Sequence, residues 1–249
     1  MKAMIFAAGL GTRLRPLTET RPKALVEIQG VSLLELAIRY LMAYGVREIV
    51  VNVHHHAAQI VEFIREKNSF GINIAISDET NLLLDTGGGL KKARDFFNSH
   101  EPFFVINTDI LTDLNLCYFY DHHVHAKSLA TLAVRNRESS RYLLFDENHQ
   151  LAGWRNQKTG EEILVLDDLA KPLSQLAFSG VHVVSPQIFD LMNETGKFSI
   201  IDAYLRLAKQ AKIIGFLHDQ SIWMDVGKVP ELERAATMLN SLRWFSSNP

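Results

Sequence analysis

Cysteine is nearly missing from this chain of 249 residues, in which Cys117 stands alone. One thiol closes no internal disulfide, so the fold must rest on its packed core, and a reducing compartment is the setting that follows. Cys117 itself is read as inert packing. A surplus of charge is missing too: 26 Lys and Arg residues face 28 Asp and Glu, a formal charge of -2, and neither half is conspicuously basic. That balance argues against nucleic acid or an anionic membrane as partner, so an anionic ligand must be held by a local site. No apolar run reaches the roughly 18 residues a membrane helix needs. The apolar start, Met1 to Ala8, stops at Gly9 and is followed by Arg13 and Arg15. A buried strand explains it better than a signal peptide. The expectation is a soluble cytoplasmic protein. Hexapeptide repeats of the kind that build a β-helix are also lacking, as is a convincing linker, which predicts two lobes of one unit rather than independent domains.

What is present is an alternation of strand-like and helix-like segments. Residues 2–8 have the length of a buried strand, and 32–44 form a helical stretch opened by Ser32-x-x-Glu35, a capping-box pattern, and closed by Gly45. Segments 47–53, 57–67 and 72–76 then read as strand, helix and strand. A glycine-rich turn at 87–89 is expected to lead into a helix ending near Phe97, followed by a strand at 103–107. This rhythm predicts an α/β fold of the three-layer, Rossmann-like kind, with a mostly parallel central sheet covered by helices. Ligands of such sheets sit outside the carboxyl ends of the strands. Beyond residue 115 the pattern loosens. Short strands at 129–134, 142–145 and 178–184, with helices starting at Ser185-Pro186 and at Ser199-x-x-Asp202, predict a smaller α+β lobe over 116–228. Residues 230–244 read as an amphipathic helix that packs on the main body or on a partner subunit, which leaves a homo-oligomer open.

The strongest chemical signal follows the first strand: Ala7-Ala8-Gly9-Leu10-Gly11-Thr12-Arg13-Leu14-Arg15-Pro16-Leu17-Thr18, then Pro22-Lys23-Ala24-Leu25. A glycine-rich turn there presents backbone N–H groups to phosphate oxygens, because no Cβ blocks their approach. Arg13 and Lys23 add the positive charge a triphosphate requires. Two better-known loops are excluded by spacing. A dinucleotide fingerprint needs glycine where Leu14 stands, and a P-loop needs Gly-Lys-Ser/Thr, which is absent.

On these residues the sequence resembles the sugar-phosphate nucleotidyltransferase family, whose signature runs A-G-G-x-G-x-R-L-x-P-L-T and then P-K-P-L. Ala8 and Ala24 are mild departures from it. The resemblance covers essentially the whole chain and implies an enzyme that joins the NMP part of an NTP to a sugar 1-phosphate and releases pyrophosphate. It implies nucleotide binding by Ala7, Ala8, Gly9, Gly11, Thr12, Arg13 and Lys23, with Arg13, Lys23 and Asp109 as catalytic residues. Asp109 ends the apolar run 103–108, and Asp225 lies in Trp223-Met224-Asp225-Val226-Gly227. Both match metal-binding positions, and Mg²⁺, which prefers oxygen ligands and takes one or two carboxylates, is the implied cofactor. Leu84-Asp85-Thr86-Gly87-Gly88-Gly89 corresponds to a loop closing around base and sugar. Thr86, Gly87 and Gly88 are therefore expected on the nucleotide, and Gly88 on the sugar as well. Ser179 and Gly180 lie in a strand resembling the one that lines the sugar pocket. The family's Glu-Lys-Pro element has only Ala170-Lys171-Pro172 as a counterpart, which makes Lys171 the candidate for the sugar phosphate and Lys158 the alternative. A short chain with a Leu-x-Thr-Gly-Gly-Gly loop resembles the N-acetylmuramate 1-phosphate uridylyltransferase type, the alternative being mannose or heptose 1-phosphate guanylyltransferases. Transfer to phosphocholine and a catalytically inactive, nucleotide-sensing relative are further readings.

The histidines of 54–56 and 122–125 lack cysteine or acidic partners at zinc spacing. They are read as turn and helix-surface residues.

Overall fold

The computed structural model of the protein describes residues 1–165 and 172–246, so Lys171 lies outside the described residues. The chain runs β1 (Lys2–Phe6), the two-residue strands β2 (Glu27–Ile28) and β3 (Val31–Ser32), α1 (Leu33–Ala43), β4 (Glu48–Val53), α2 (Ala57–Glu66), β5 (Asn73–Asp78), α3 (Asp85–Lys92) and β6 (Phe103–Asn107). It continues through β7 (Ile110–Thr112), α4 (Leu116–Ala126), β8 (Ala130–Arg135), β9 (Arg141–Phe145), β10 (Leu151–Asn156), β11 (Glu162–Leu164) and β12 (Ser174–Val184). The last elements are α5 (Ile188–Leu191), α6 (Ile200–Leu207), β13 (Ile213–Leu217), β14 (Trp223–Asp225), α7 (Val229–Leu239) and α8 (Arg243–Ser246).

Strands β5, β4, β1 and β6 pair in parallel, in that order, and form the α/β heart of the molecule. Alternation along β1 explains the layering: Ala3 and Ile5 join one hydrophobic cluster with α1, while Met4 joins the other with α6. Both faces of the sheet are thus buried, which is why these strands are apolar throughout. β12 then pairs antiparallel with β6, and through β12 the second half of the chain extends the same sheet to β8, β9, β10 and β11. The long strand β12 bends where its register to β8 shifts between Phe178 and His182, next to Gly180 at φ 75°. A Cβ at Gly180 would lie 2.8 Å from Ile110, so only glycine allows this approach.

Several local expectations need correction. Gly87, Gly88 and Gly89 lie inside α3 and are buried, so the segment is the helix itself and not a turn leading into one. Glycine is a poor helix former, but here each one admits a neighbour: a Cβ would meet the Phe198 ring at 2.4 Å, Gly196 O at 2.4 Å and Glu79 Oε1 at 2.6 Å, respectively. Cys117 is exposed on α4 rather than packed. His123 is buried rather than on a helix surface, its ring hydrogen bonded to Thr131 Oγ1 and Ser185 Oγ at 2.9 Å each. The helix expected after Ser185 is the single turn α5. The single helix expected over 230–244 is two, α7 and α8, and the second packs on the main body: Trp244 donates its indole N–H to Thr112 O at 2.7 Å and lies against Tyr40. Among the described residues no helix is long and apolar enough to cross a membrane.

Candidate active site

The chain leaves β1 at Phe6 and crosses the carboxyl ends of the parallel strands. The Ala7 N–H donates to Asn52 Oδ1 at 2.7 Å, Asn52 Nδ2 donates to Glu79 Oε1 at 2.8 Å, and Glu79 Oε2 accepts the Leu84 N–H at 3.0 Å. Asn52 and Glu79 are 2% and 1% exposed. This chain ties the ends of β1, β4 and β5 to the start of α3, and every buried polar group in it is satisfied by a short, directed bond. It forms the back wall of a cavity of about 420 Å³, which is also lined by Ala7, Ala8, Gly9, Gly11, Thr12, Lys23, Thr86 and Asp109. Gly87 and Gly88 do not line it, because Phe198 and Gly196 cover them. Gly9 has open space where its Cβ would be. A cavity lined by a glycine loop, a cation and a carboxylate suits a nucleoside triphosphate.

Charge concentrates at the mouth. Lys23, on the 3-10 turn Lys23–Leu25, forms an ion pair with Asp109 just beyond β6. β14 pairs antiparallel with β7, setting Asp225 opposite Ile110, and the Val226 N–H donates to Asp109 O at 2.8 Å. Two carboxylates from distant parts of the chain are therefore brought together by a two-stranded ribbon. Burial, and then the charge of Asp109, push the Asp225 carboxyl up to about 6. Asp225 Oδ1 is buried with no hydrogen-bond partner. Arg13 reaches across the mouth, since a Cβ on Gly227 would sit 2.7 Å from its Nη2.

A second cavity of about 510 Å³ opens on the far side of Asp225, between Tyr142, Trp154, Phe178, Ile201 and Asp202. Trp223, two residues before Asp225, lines neither cavity; its indole N–H donates to Ser179 O at 2.9 Å and its ring carries the Arg137 guanidinium at 4.3 Å. Ser179 is fully buried and its hydroxyl is hydrogen bonded to His218 Nε2 at 2.8 Å. Gly180 lies under Asn107 and Ile110. Lys158 sits in the exposed turn between β10 and β11 and lines neither cavity. Sequence reasoning missed Asn52 in the cavity wall and the Arg137–Trp223 contact outside it. For Asn52 a signal existed, an amide interrupting the apolar run Ile49-Val50-Val51-Asn52-Val53 of a buried strand. Arg137 and its indole partner are 86 residues apart in sequence and gave none.

Residues 2–241 match the family model described as Nucleotidyl transferase. The chain belongs to the nucleotidyl transferase family. It is 33% identical over 241 residues to an N-acetylmuramate alpha-1-phosphate uridylyltransferase of Caulobacter vibrioides, covering 94% of each chain. It is 30% identical to a mannose-1-phosphate guanylyltransferase catalytic subunit beta of Dictyostelium discoideum, over 98% of this chain but 66% of that one. Among solved structures, a UDP-glucose pyrophosphorylase complexed with UDP-glucose superposes with a TM-score of 0.75 at 19% identity, covering 97% of this chain and 99% of the other. The expected fold is thereby established, and the protein is a sugar-phosphate nucleotidyltransferase.

Proposed function

We propose that the protein transfers UMP from UTP to N-acetylmuramate 1-phosphate in the cytoplasm, with Mg²⁺ as cofactor. For the chemistry, the supporting observation is the convergence of Arg13, Lys23, Asp109 and Asp225 where the two cavities meet. Residues 1–115 hold the nucleotide, 116–228 hold the sugar, and the terminal helix braces the strand ribbon that carries Asp225. A divalent cation fits the site. The orphaned Asp225 Oδ1 is a buried hard-oxygen donor without a partner, beside a second carboxylate that repels it. Asp109 and Asp225 would hold the ion, which supplies charge neutralisation on the phosphates when bound.

The acceptor phosphate is ionised at neutral pH, so one of its oxygens attacks the α-phosphorus without help from a base. The bond from the α-phosphorus to the bridging oxygen breaks, and pyrophosphate leaves. Lys23 orients and neutralises the reacting phosphates, and Arg13 attracts the departing pyrophosphate. The loop from Gly9 to Thr12 and the Asn52–Glu79 wall hold the nucleotide in line.

The substrate reading is supported by similarity: the chain is 33% identical to the N-acetylmuramate alpha-1-phosphate uridylyltransferase and 30% identical to the guanylyltransferase subunit. Uracil and guanine present different donors and acceptors, and a pocket built for one leaves buried groups unpaired with the other. The expected result is a kcat/KM for UTP at least roughly tenfold above that for GTP, a gap of about 1.4 kcal/mol. Pyrophosphate release with the four NTPs, each paired with N-acetylmuramate 1-phosphate and with mannose 1-phosphate, measures it. Preference for GTP with mannose 1-phosphate would overturn the substrate assignment, and no release with any pair would favour a nucleotide-sensing protein.

A further inference from the structure

Lys171, the sequence candidate for meeting the acceptor's phosphate, lies outside the described residues, and the structure offers a second lysine from another element. Residues 196–200 lie along the start of α3. Phe198 O accepts the Gly87 N–H at 2.9 Å, Leu84 O accepts the Phe198 N–H at 3.1 Å, and Thr86 Oγ1 accepts the Ile200 N–H at 3.0 Å. Gly87 and Gly88 exist as glycines to let this segment lie close. The clamp fixes Lys197 so that it lines the nucleotide cavity, while Ser199, two residues on, lines the second. Among the described residues no hydrogen bond or ion pair engages the Lys197 ammonium, whereas Lys23 is already paired with Asp109.

The acceptor must span both cavities, its sugar in the second and its phosphate in reach of the nucleotide in the first. It brings about two negative charges to a junction where carboxylates are already crowded. Asp85 lines the first cavity and Asp202 the second, and burial, followed by the charge of Asp85, raises the Asp202 carboxyl. A phosphate is accommodated there only if a cation meets it. We propose that Lys197 binds the phosphate of the sugar 1-phosphate, as a substrate-contacting residue delivered to the nucleotide cavity by the sugar-binding half. The proposal rests on reading the second cavity as the acceptor site and is independent of which sugar occupies it.

The test compares Lys197→Met and Lys197→Arg with the unsubstituted enzyme, varying UTP and acceptor in turn. N-acetylmuramate 1-phosphate and mannose 1-phosphate serve as acceptors, and direct binding of each to the enzyme loaded with a non-hydrolysable UTP analogue is measured in parallel. A charge-assisted contact predicts that Lys197→Met raises the KM and Kd for the acceptor roughly tenfold or more, leaves the KM for UTP within about twofold, and is largely rescued by arginine. A loss falling on UTP instead would place Lys197 on the donor, and unchanged constants would make it a solvated surface cation; either overturns the proposal. If the unsubstituted enzyme binds and turns over only mannose 1-phosphate, the N-acetylmuramate reading fails, while the lysine comparison is decided on mannose 1-phosphate.

Discussion

At the scale of single residues, the glycines of the site divide by what lies beside them. Gly9 faces open space in the nucleotide cavity, whereas the Cβ of any other residue at position 88 would lie 2.4 Å from the Gly196 carbonyl oxygen and 2.9 Å from Leu84 Cβ. Alanine in a helix is favoured over glycine by about 1 kcal/mol, but overpacking against backbone costs about 1–3 kcal/mol, so the clash prevails. Gly88→Ala is expected to lower the urea midpoint, with a net loss of up to about 2 kcal/mol. Gly9→Ala should leave the midpoint unchanged and raise the KM for the NTP, because its methyl would enter only the space a ligand occupies. Equal destabilisation by the two would show that the glycines of α3 are not packing contacts.

At the scale of elements, the parallel strands and α1 were legible because each carries its own signal: an apolar run of strand length, or a capping serine whose side chain accepts the Glu35 N–H. The Arg13, Lys23, Asp109 and Asp225 set was readable from motifs for a related reason, since each sits in a short stretch of distinctive residues. Strands β7 and β14 left no comparable trace. Each has three residues, and neither is a strand except through the other. The helix α3 was misread because glycine normally argues against helix, and the reason for three of them lies in Phe198, Gly196 and Glu79, which no local pattern announces. The same holds for Lys197, whose place at the nucleotide cavity depends on a clamp more than 100 residues away in sequence, as between Thr86 and Ile200.

At the scale of the whole molecule, stability and catalysis depend on buried ionisable groups of opposite behaviour. Burial holds His123 and His218 down to about 4 and His182 to about 3. Their unfolded counterparts titrate near 6.5, so on acidification the unfolded chain takes up protons that the native state refuses. Stability contributed by these histidines is complete above that value and is lost progressively as pH falls toward 4. Asp225, raised to about 6, acts in the opposite sense and offsets part of this. The net expectation is a loss of about 2–3 kcal/mol between pH 7.5 and 5.5, read from urea unfolding, and a midpoint that holds or rises over that range would refute it. The central claim, that Asp109 and Asp225 form a metal-dependent nucleotidyl-transfer centre, is tested most directly by Asp225→Asn. The amide removes a buried charge that Asp109 repels, so thermal stability without metal should be retained or increased. Pyrophosphate release at saturating substrates should fall by roughly two orders of magnitude or more and lose its Mg²⁺ dependence, the scale at which removal of one group that stabilises transition-state charge is felt. A variant that keeps the parent's rate and its Mg²⁺ titration would contradict the account.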